Sequence, residues 1–397
     1  MATASHSPPE SPALRGVGST REFGLDWLRV IAFLILIFYH TGMFFVPWPW
    51  HVKNNELSQG LTWVMMFFAG WRLPLLFFIS GCGVSFALRR RTLSTFARER
   101  LRRLLLPLLF GMLVVVPPQV YFERLTEGVK FSGYLDFYSS VLEFVPYPEG
   151  NFSWHHLWFV VYLLVYSLTM MPVFSFFRSE RGQAAISALA GACRRPGMIY
   201  LINLPSIAVA LLLGPHWPTT HNLVADWANL IGSLVTFLWG FVFASSPQLL
   251  EILERRRREW LAGALVLTVV FYAVRGLELQ VRWVPRTLIN SYFGMLWIFT
   301  LIGFARRHLT RDSAVLRYAN EAVYPFYIVH QTITVSAGYW MADWKLALGI
   351  KLPLLAGVTF LGSWAVFEVV RRTALTRLLF GLSISAPGVG RTSPVVG

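Results

Sequence analysis

Two groups able to do chemistry share the first long apolar run of this 397-residue chain: Arg29 and His40, separated by the ten uncharged residues VIAFLILIFY. Arginine offers contact with anions and imidazole offers proton transfer. Eleven positions are close to three helical turns, so both side chains leave nearly the same face, roughly 16 Å apart along the axis. A cation at the hydrocarbon centre costs at least about 2.5 kcal/mol, so such residues face a bundle interior or a wet cavity. One helix should therefore line an interior polar path, or hold two polar side chains satisfied by packing between helices. Asp26, one turn before Arg29, is placed to pair with it and keep it charged.

Further reactive or polar groups recur downstream. Arg100 and Arg103 stand three apart before the run LLLPLL, in a segment that also carries Arg98 and Arg102. Such a pair makes a two-guanidinium fork suited to phosphate or carboxylate, or else anchors a loop electrostatically. Late in the chain Tyr324, Tyr327 and His330 step by three along one helical stripe, with Pro325 freeing a carbonyl and Glu321 one turn earlier. His155, His156 and Trp158 open another run, and Trp50 and His51 follow the first. The acidic, aromatic stretch 122–154 offers what a sugar-binding surface needs, and equally what an interfacial loop needs. No HxxxH or HxxE spacing marks a metal site, and no metal is expected.

The elements that must position these groups follow from composition. At 55% hydrophobic, 16% aromatic and only 14% charged, the chain is too apolar for a soluble enzyme of its length. Apolar runs near 26–46, 62–87, 104–121, 155–176, 198–214, 227–245, 259–275, 289–305, 321–340 and 348–369 predict an all-α, polytopic membrane bundle of about ten transmembrane helices. The net charge of +15 does not point to nucleic acid. With ten crossings, 25 of the 35 Lys and Arg fall in loops on one side, including Arg89–Arg91 and Arg255–Arg258. The positive-inside rule then puts both termini in the cytoplasm. Cys82 and Cys193 form no disulfide framework or zinc spacing. Residues 1–22 and 381–397, rich in Ser, Pro or Gly, are expected to be disordered cytoplasmic tails around one membrane domain, 23–380.

Taken in order, these motifs resemble the acyltransferase type 3 family of bacterial membrane acyltransferases. The resemblance rests on Arg-x10-His (Arg29, His40), on Phe-x3-Arg-x2-Arg-Leu-Leu-x-Pro (Phe96, Arg100, Arg103, Leu104, Leu105, Pro107) and on Tyr-x2-Tyr-x2-His (Tyr324, Tyr327, His330). Phe78-Ile79-Ser80-Gly81 and His156-Leu157-Trp158-Phe159 also look like family landmarks. The similarity runs from about Arg21 to Phe380. The opening Arg21-Glu22-Phe23 with Leu25-Asp26, and Trp50-His51-Val52 with Asn54, resemble the branch linked to succinylating periplasmic glucans. Asn320-Glu321-Ala322-Val323 before Tyr324 depart from a strict Ser/Tyr start and leave Glu321 without a family role.

The resemblance implies O-acyl transfer across the bacterial inner membrane, from cytoplasmic acyl-CoA to a hydroxyl of a periplasmic or cell-surface glycan. Arg100 and Arg103 would then hold the CoA phosphates. His40, roughly 21 Å into a core of roughly 30 Å, would take the proton from the attacking hydroxyl. Arg29, Tyr327 and His330 complete the expected catalytic set, with Arg29 or Tyr327 on the developing oxyanion. Trp50, His51, His156, Trp158 and Tyr324 are expected to bind substrate. Acyl-CoA enters as a co-substrate and no bound cofactor is expected. Succinyl and acetyl differ by one carboxylate, and an extra pocket cation such as Arg72 would favour succinyl unless it pairs elsewhere. Two other readings use the same interior groups: a transporter of a small anion or glycan, and an acyltransferase acting on a lipid-linked or small-molecule glycoside.

Overall fold

A computed structural model describes residues 22–384. Most of both expected tails, 1–21 and 385–397, lies outside the described residues. Where no water reaches the backbone, each segment must satisfy its own N–H and C=O groups, and the chain does this by helices alone. No named strand occurs among the described residues, and all ten apolar runs fall on helices.

The principal helices are α1 (Phe23–Met43), α2 (Gln59–Leu88), α3 (Leu93–Thr126), α5 (His155–Thr169), α6 (Met171–Arg178), α8 (Met198–Leu212), α9 (Trp227–Ser245), α11 (Arg257–Gly276), α12 (Trp283–His308) and α14 (Leu348–Val370). Shorter helices intervene: α4 (Tyr134–Val141), α7 (Glu180–Cys193), α10 (Pro247–Arg255) and α15 (Ala374–Leu379). The long α13 (Ala314–Met341) carries the late Tyr-Tyr-His stripe. By length and composition, seven helices among the described residues can cross a membrane: α1, α2, α3, α9, α11, α12 and α14. The pair α5–α6, bent by 54°, makes an eighth such segment. The expected fifth run is the short α8, of nine α-helical residues after a 3-10 lead-in. The ninth, α13, runs 28 residues but falls below the apolarity of the others because it bears the polar stripe. Outward-facing apolar side chains such as Val266, Val269 and Leu361, each at least 60% exposed, suit a lipid surface and not water.

Three local features set the frame. Helices α2 and α9 cross in near-contact through Gly81 and Gly240. A Cβ on Gly81 would stand 1.9 Å from the Phe237 carbonyl oxygen, and one on Gly240 at 1.9 Å from that of Phe78. Small residues of this kind let membrane helices approach backbone to backbone. Helix α3 contains two wide turns, Leu101–Leu105 and Gly111–Val115, where Leu106 N–H reaches back to Leu101 O and Val116 N–H to Gly111 O. Such π-type turns are frequent at functional sites. Beyond α15, Arg377 Nε donates to Ser383 O at 2.6 Å and draws residues 381–383 under the bundle. Gly381, with φ +70°, is needed there, because a Cβ would stand 2.6 Å from the Tyr324 ring.

Candidate active site

Two polar chambers lie at opposite ends of the Arg29–His40 face of α1. The first consists of adjoining cavities of about 370 and about 1240 Å³ that share Arg29, Phe33, Ser80, Arg100, Arg103 and Leu163. The smaller cavity is lined by six arginines (Arg29, Arg89, Arg90, Arg91, Arg100 and Arg103) against two acids, Glu22 and Asp26. That excess concentrates anions within it. Arg29 is held by its Nη2 donating to Asn320 Oδ1 at 2.7 Å, with the expected partner Asp26 further off at 3.6 Å. Arg100 and Arg103 both reach this chamber, one before and one within the first wide turn of α3. Tyr324 also belongs to this chamber and not to the one containing the other expected substrate-binding residues. Glu321, without a role from the sequence, forms an ion pair with Arg377 at 2.8 Å and so ties α13 to α15.

The second chamber, of about 1030 Å³, brings together His40, Trp50, His51, His156 and Trp158 and is also lined by Arg72, Glu123, Tyr147, Trp154, His155 and His221. Its aromatic faces are ordered by stacking: Trp158 on His221 at 4.2 Å and His51 on His155 at 4.5 Å between ring centroids. Glu123 accepts from His51 Nδ1 at 3.0 Å, His155 Nε2 at 3.2 Å and the Tyr147 hydroxyl at 3.3 Å. Burial and the neighbouring Glu123 carboxylate push Tyr147 up to about 12, so it stays a donor. Nearby, Lys53 Nζ donates to the carbonyls of Met43, Val46 and Trp48, and fastens the loop that delivers Trp50. Burial lowers its pKa to about 8.

His51, Glu123 and His155 also form the one group among the described residues whose ligand atoms, all within 4.8 Å of one another, have the makings of a metal site. Protein partners already use those atoms. The second nitrogen of His51 accepts from Gln331 Nε2 at 2.9 Å, and that of His155 from Ser153 Oγ at 2.7 Å. Glu123 and His155 stood in the sequence only as members of the acidic, aromatic stretch and of the His155–Trp158 run, not as expected site residues. The available signal was a carboxylate on the apolar continuation of α3 and a second histidine beside His156.

A thin partition separates the chambers. Tyr327 lines the first, and its hydroxyl donates to the backbone carbonyl of His156, which lines the second. One turn further along α13, His330 is fully buried and meets His40: His330 Nε2 and His40 Nδ1 are 2.7 Å apart, with the rings stacked at 5.0 Å. The hydrogen-bond pattern fixes the tautomers. His330 Nδ1 lies 2.7 Å from the Tyr327 carbonyl oxygen and 3.2 Å from that of Phe326, so it must carry the proton. His330 Nε2 is then an acceptor, and His40 Nδ1 must donate to it. No bond among the described residues uses His40 Nε2, whose lone pair is left as a base on the second chamber. His156 is held in the same way, by Nε2 donating to Ile328 O at 3.0 Å and Nδ1 accepting from Gln119 at 3.3 Å.

An orienting acceptor behind a basic nitrogen, beside one arginine-lined chamber and another lined by aromatic rings and histidines, fits acyl transfer. The profile of a family described as an acyltransferase domain matches residues 22–368. The chain belongs to that family. Among curated relatives, it is similar to the glucans biosynthesis protein C of Salmonella paratyphi A and of Salmonella agona, each 22% identical over 92% of this chain and 96% of the relative. No solved structure matches. Its helices and its family together make this acyltransferase a multi-pass membrane protein.

Proposed function

We propose that this acyltransferase takes an acyl group, succinyl or acetyl, from cytoplasmic acyl-CoA and transfers it to a hydroxyl of a periplasmic or cell-surface glycan. The observation that carries this reading is the chain Tyr327 carbonyl–His330–His40, which ends in a free His40 Nε2 where the two chambers nearly meet. The name of these relatives, glucans biosynthesis protein C, supports a glucan as the acceptor. The protein sits in the bacterial inner membrane with ten crossings and both termini in the cytoplasm, which opens the arginine chamber to the cytoplasm and the histidine chamber outward.

In this reading the CoA phosphates rest on Arg100 and Arg103, whose guanidinium groups suit paired phosphate oxygens. The pantetheine arm runs past Arg29 and Tyr327 and carries the thioester toward His40. Arg29 lies about 16 Å below His40 along α1 and guides the donor without touching the reacting carbonyl. The Tyr327 hydroxyl is engaged with the His156 carbonyl, so Tyr327 positions α13 against α5 and leaves oxyanion contact to another group. Trp50, His51, His156 and Trp158 present ring faces and polar edges to the sugar. His40 Nε2 removes the hydroxyl proton as oxygen attacks the carbonyl carbon, and His330 stabilises the imidazolium that forms. As the C–S bond breaks, that proton passes to the departing thiolate. The test is thiol release from acyl-CoA by purified protein with and without a glucan oligosaccharide. Glucan-dependent release that falls by about 10²–10⁴ in His40→Ala is expected. Release independent of glucan, or near-normal release by a stable His40→Ala protein, would overturn the reading.

A further inference from the structure

Arg72 stands out among the groups that the mechanism so far leaves idle. It opens the second half of α2 at 4% exposure, within the membrane-spanning part of the bundle. Its guanidinium carbon lies 3.4 Å from the centre of the Tyr39 ring, the residue next to His40. Stacking satisfies only the face of the guanidinium plane, because its N–H groups point outward along the edge. Its Nε and Nη1 are buried with no hydrogen-bond partner. Among the described residues lining the histidine chamber, no other side chain leaves a fully buried nitrogen or oxygen without a partner. A buried, unpaired cation is costly, and the usual resolution is a partner that arrives with the ligand.

Several other donors near His40 are already in use. The Tyr327 hydroxyl is given to the His156 carbonyl, His156 Nε2 to the Ile328 carbonyl, and Gln331 Nε2 to His51. Arg29 is bonded to Asn320 on the far side of the partition. A reaction at His40 that builds negative charge on an acyl oxygen therefore has one uncommitted buried cation beside it.

We propose that Arg72 is a catalytic residue that receives the oxyanion of the tetrahedral intermediate during acyl transfer. This rests on the acyl-CoA reading above. As the glycan hydroxyl oxygen bonds to the thioester carbonyl carbon, the carbonyl π pair moves onto its oxygen, and the Arg72 Nε and Nη1 hydrogens bind that charge. His40 Nε2 holds the hydroxyl proton meanwhile. When the carbonyl re-forms, the C–S bond breaks and the thiolate leaves with the proton from His40. Arg72 is then released for the next turnover. The fork also distinguishes the two stages, because a neutral thioester oxygen gains less from it than an oxyanion does.

Two measurements on the full-length protein in nanodiscs test this. The first is binding of S-carboxymethyl-CoA, which carries an anion next to the sulfur, against the neutral S-ethyl-CoA. The wild type should bind the anionic analogue at least about tenfold more tightly, and Arg72→Gln should erase that preference without weakening S-ethyl-CoA. Equal binding of both analogues by the wild type overturns the role of Arg72 alone. Failure to bind either overturns the acyl-CoA reading together with it. The second is glucan-dependent turnover with acetyl-CoA and with succinyl-CoA. Arg72→Gln should lower kcat by about 10²–10³ at little-changed KM for whichever donors the wild type uses, and Arg72→Lys, which keeps the charge, should recover part of it. Loss confined to succinyl-CoA, with acetyl transfer intact, would make Arg72 the seat of a terminal carboxylate and overturn the oxyanion role. Should Arg72→Gln fail to fold, the Arg72→Lys protein decides by the same analogue preference, which must shrink.

Discussion

Replacing His330 by Phe isolates the step on which the proposed proton transfer depends. The substitution keeps a ring of similar size in a fully buried position and removes the nitrogen that lies 2.7 Å from His40 Nδ1. In the resting state this loses a neutral hydrogen bond and frees His40 to adopt its other tautomer. In the transition state it loses more, because His40 becomes an imidazolium whose Nδ1–H has no acceptor. A hydrogen bond to a charged group is worth about 1.5–3 kcal/mol. At about 1.4 kcal/mol per tenfold, kcat should fall by about ten- to 150-fold. KM for acyl-CoA should hold, since no donor-contacting residue has moved. His330→Gln restores an acceptor oxygen to the position and should recover part of the loss. In the double variant with His40→Ala, removing His330 should cost almost nothing further, because both act through one nitrogen. The assay is thiol release by purified protein at saturating glucan, on samples matched for melting temperature. A folded His330→Phe protein with kcat within about threefold of wild type, or additive losses in the double variant, would refute the reasoning.

The remaining predictions concern the donor mouth, the frame and the topology. Arg103→Lys keeps the charge but loses the bidentate fork, so KM for acyl-CoA should rise about tenfold with kcat little changed; an unchanged KM would reduce Arg103 to a loop anchor. Gly240→Ala drives a methyl against the Phe78 carbonyl and should cost at least about 1–3 kcal/mol, seen as a lower melting temperature. Gly357→Ala, which meets nothing within 4 Å, should be neutral, and equal effects would show that the close crossing is not the cause. Cys82 and Cys193 are both buried, so thiols introduced at Ser139 and Val315 can be read in the native background. An impermeant maleimide should reach position 139 in intact cells and position 315 only after lysis; labelling of both from outside would break the ten-crossing topology.

How far the sequence revealed this arrangement differs from residue to residue. Arg29, His40 and the Tyr324–Tyr327–His330 stripe were legible because helical spacing alone puts each set on one face. That His330 bonds His40 was not legible, since the two are 290 positions apart and only packing of α1 against α13 decides which ring nitrogens meet. That Tyr324 lines the arginine chamber, apart from Trp50, His51, His156 and Trp158, was not legible for a related reason. A stripe on a long helix crosses the partition, and spacing does not say where the partition lies. Glu123 looked like part of an interfacial loop because it follows the apolar run of α3. Helix α3 instead continues to Thr126, and the carboxylate meets His51 and His155. Arg72 could be noted as a cation within a span, but its lack of a partner is a property of the packed bundle.

The most direct test of acyl transfer across the membrane uses proteoliposomes in which the protein has one orientation, with its arginine chamber facing out. Glucan oligosaccharide is sealed inside and acyl-labelled CoA is added outside. Label should accumulate on the enclosed glucan while free CoA appears outside, and His40→Ala vesicles should show neither. Label found on glucan only when donor and acceptor share one side, or unmodified glucan leaving the vesicles, would contradict acyl transfer across the membrane.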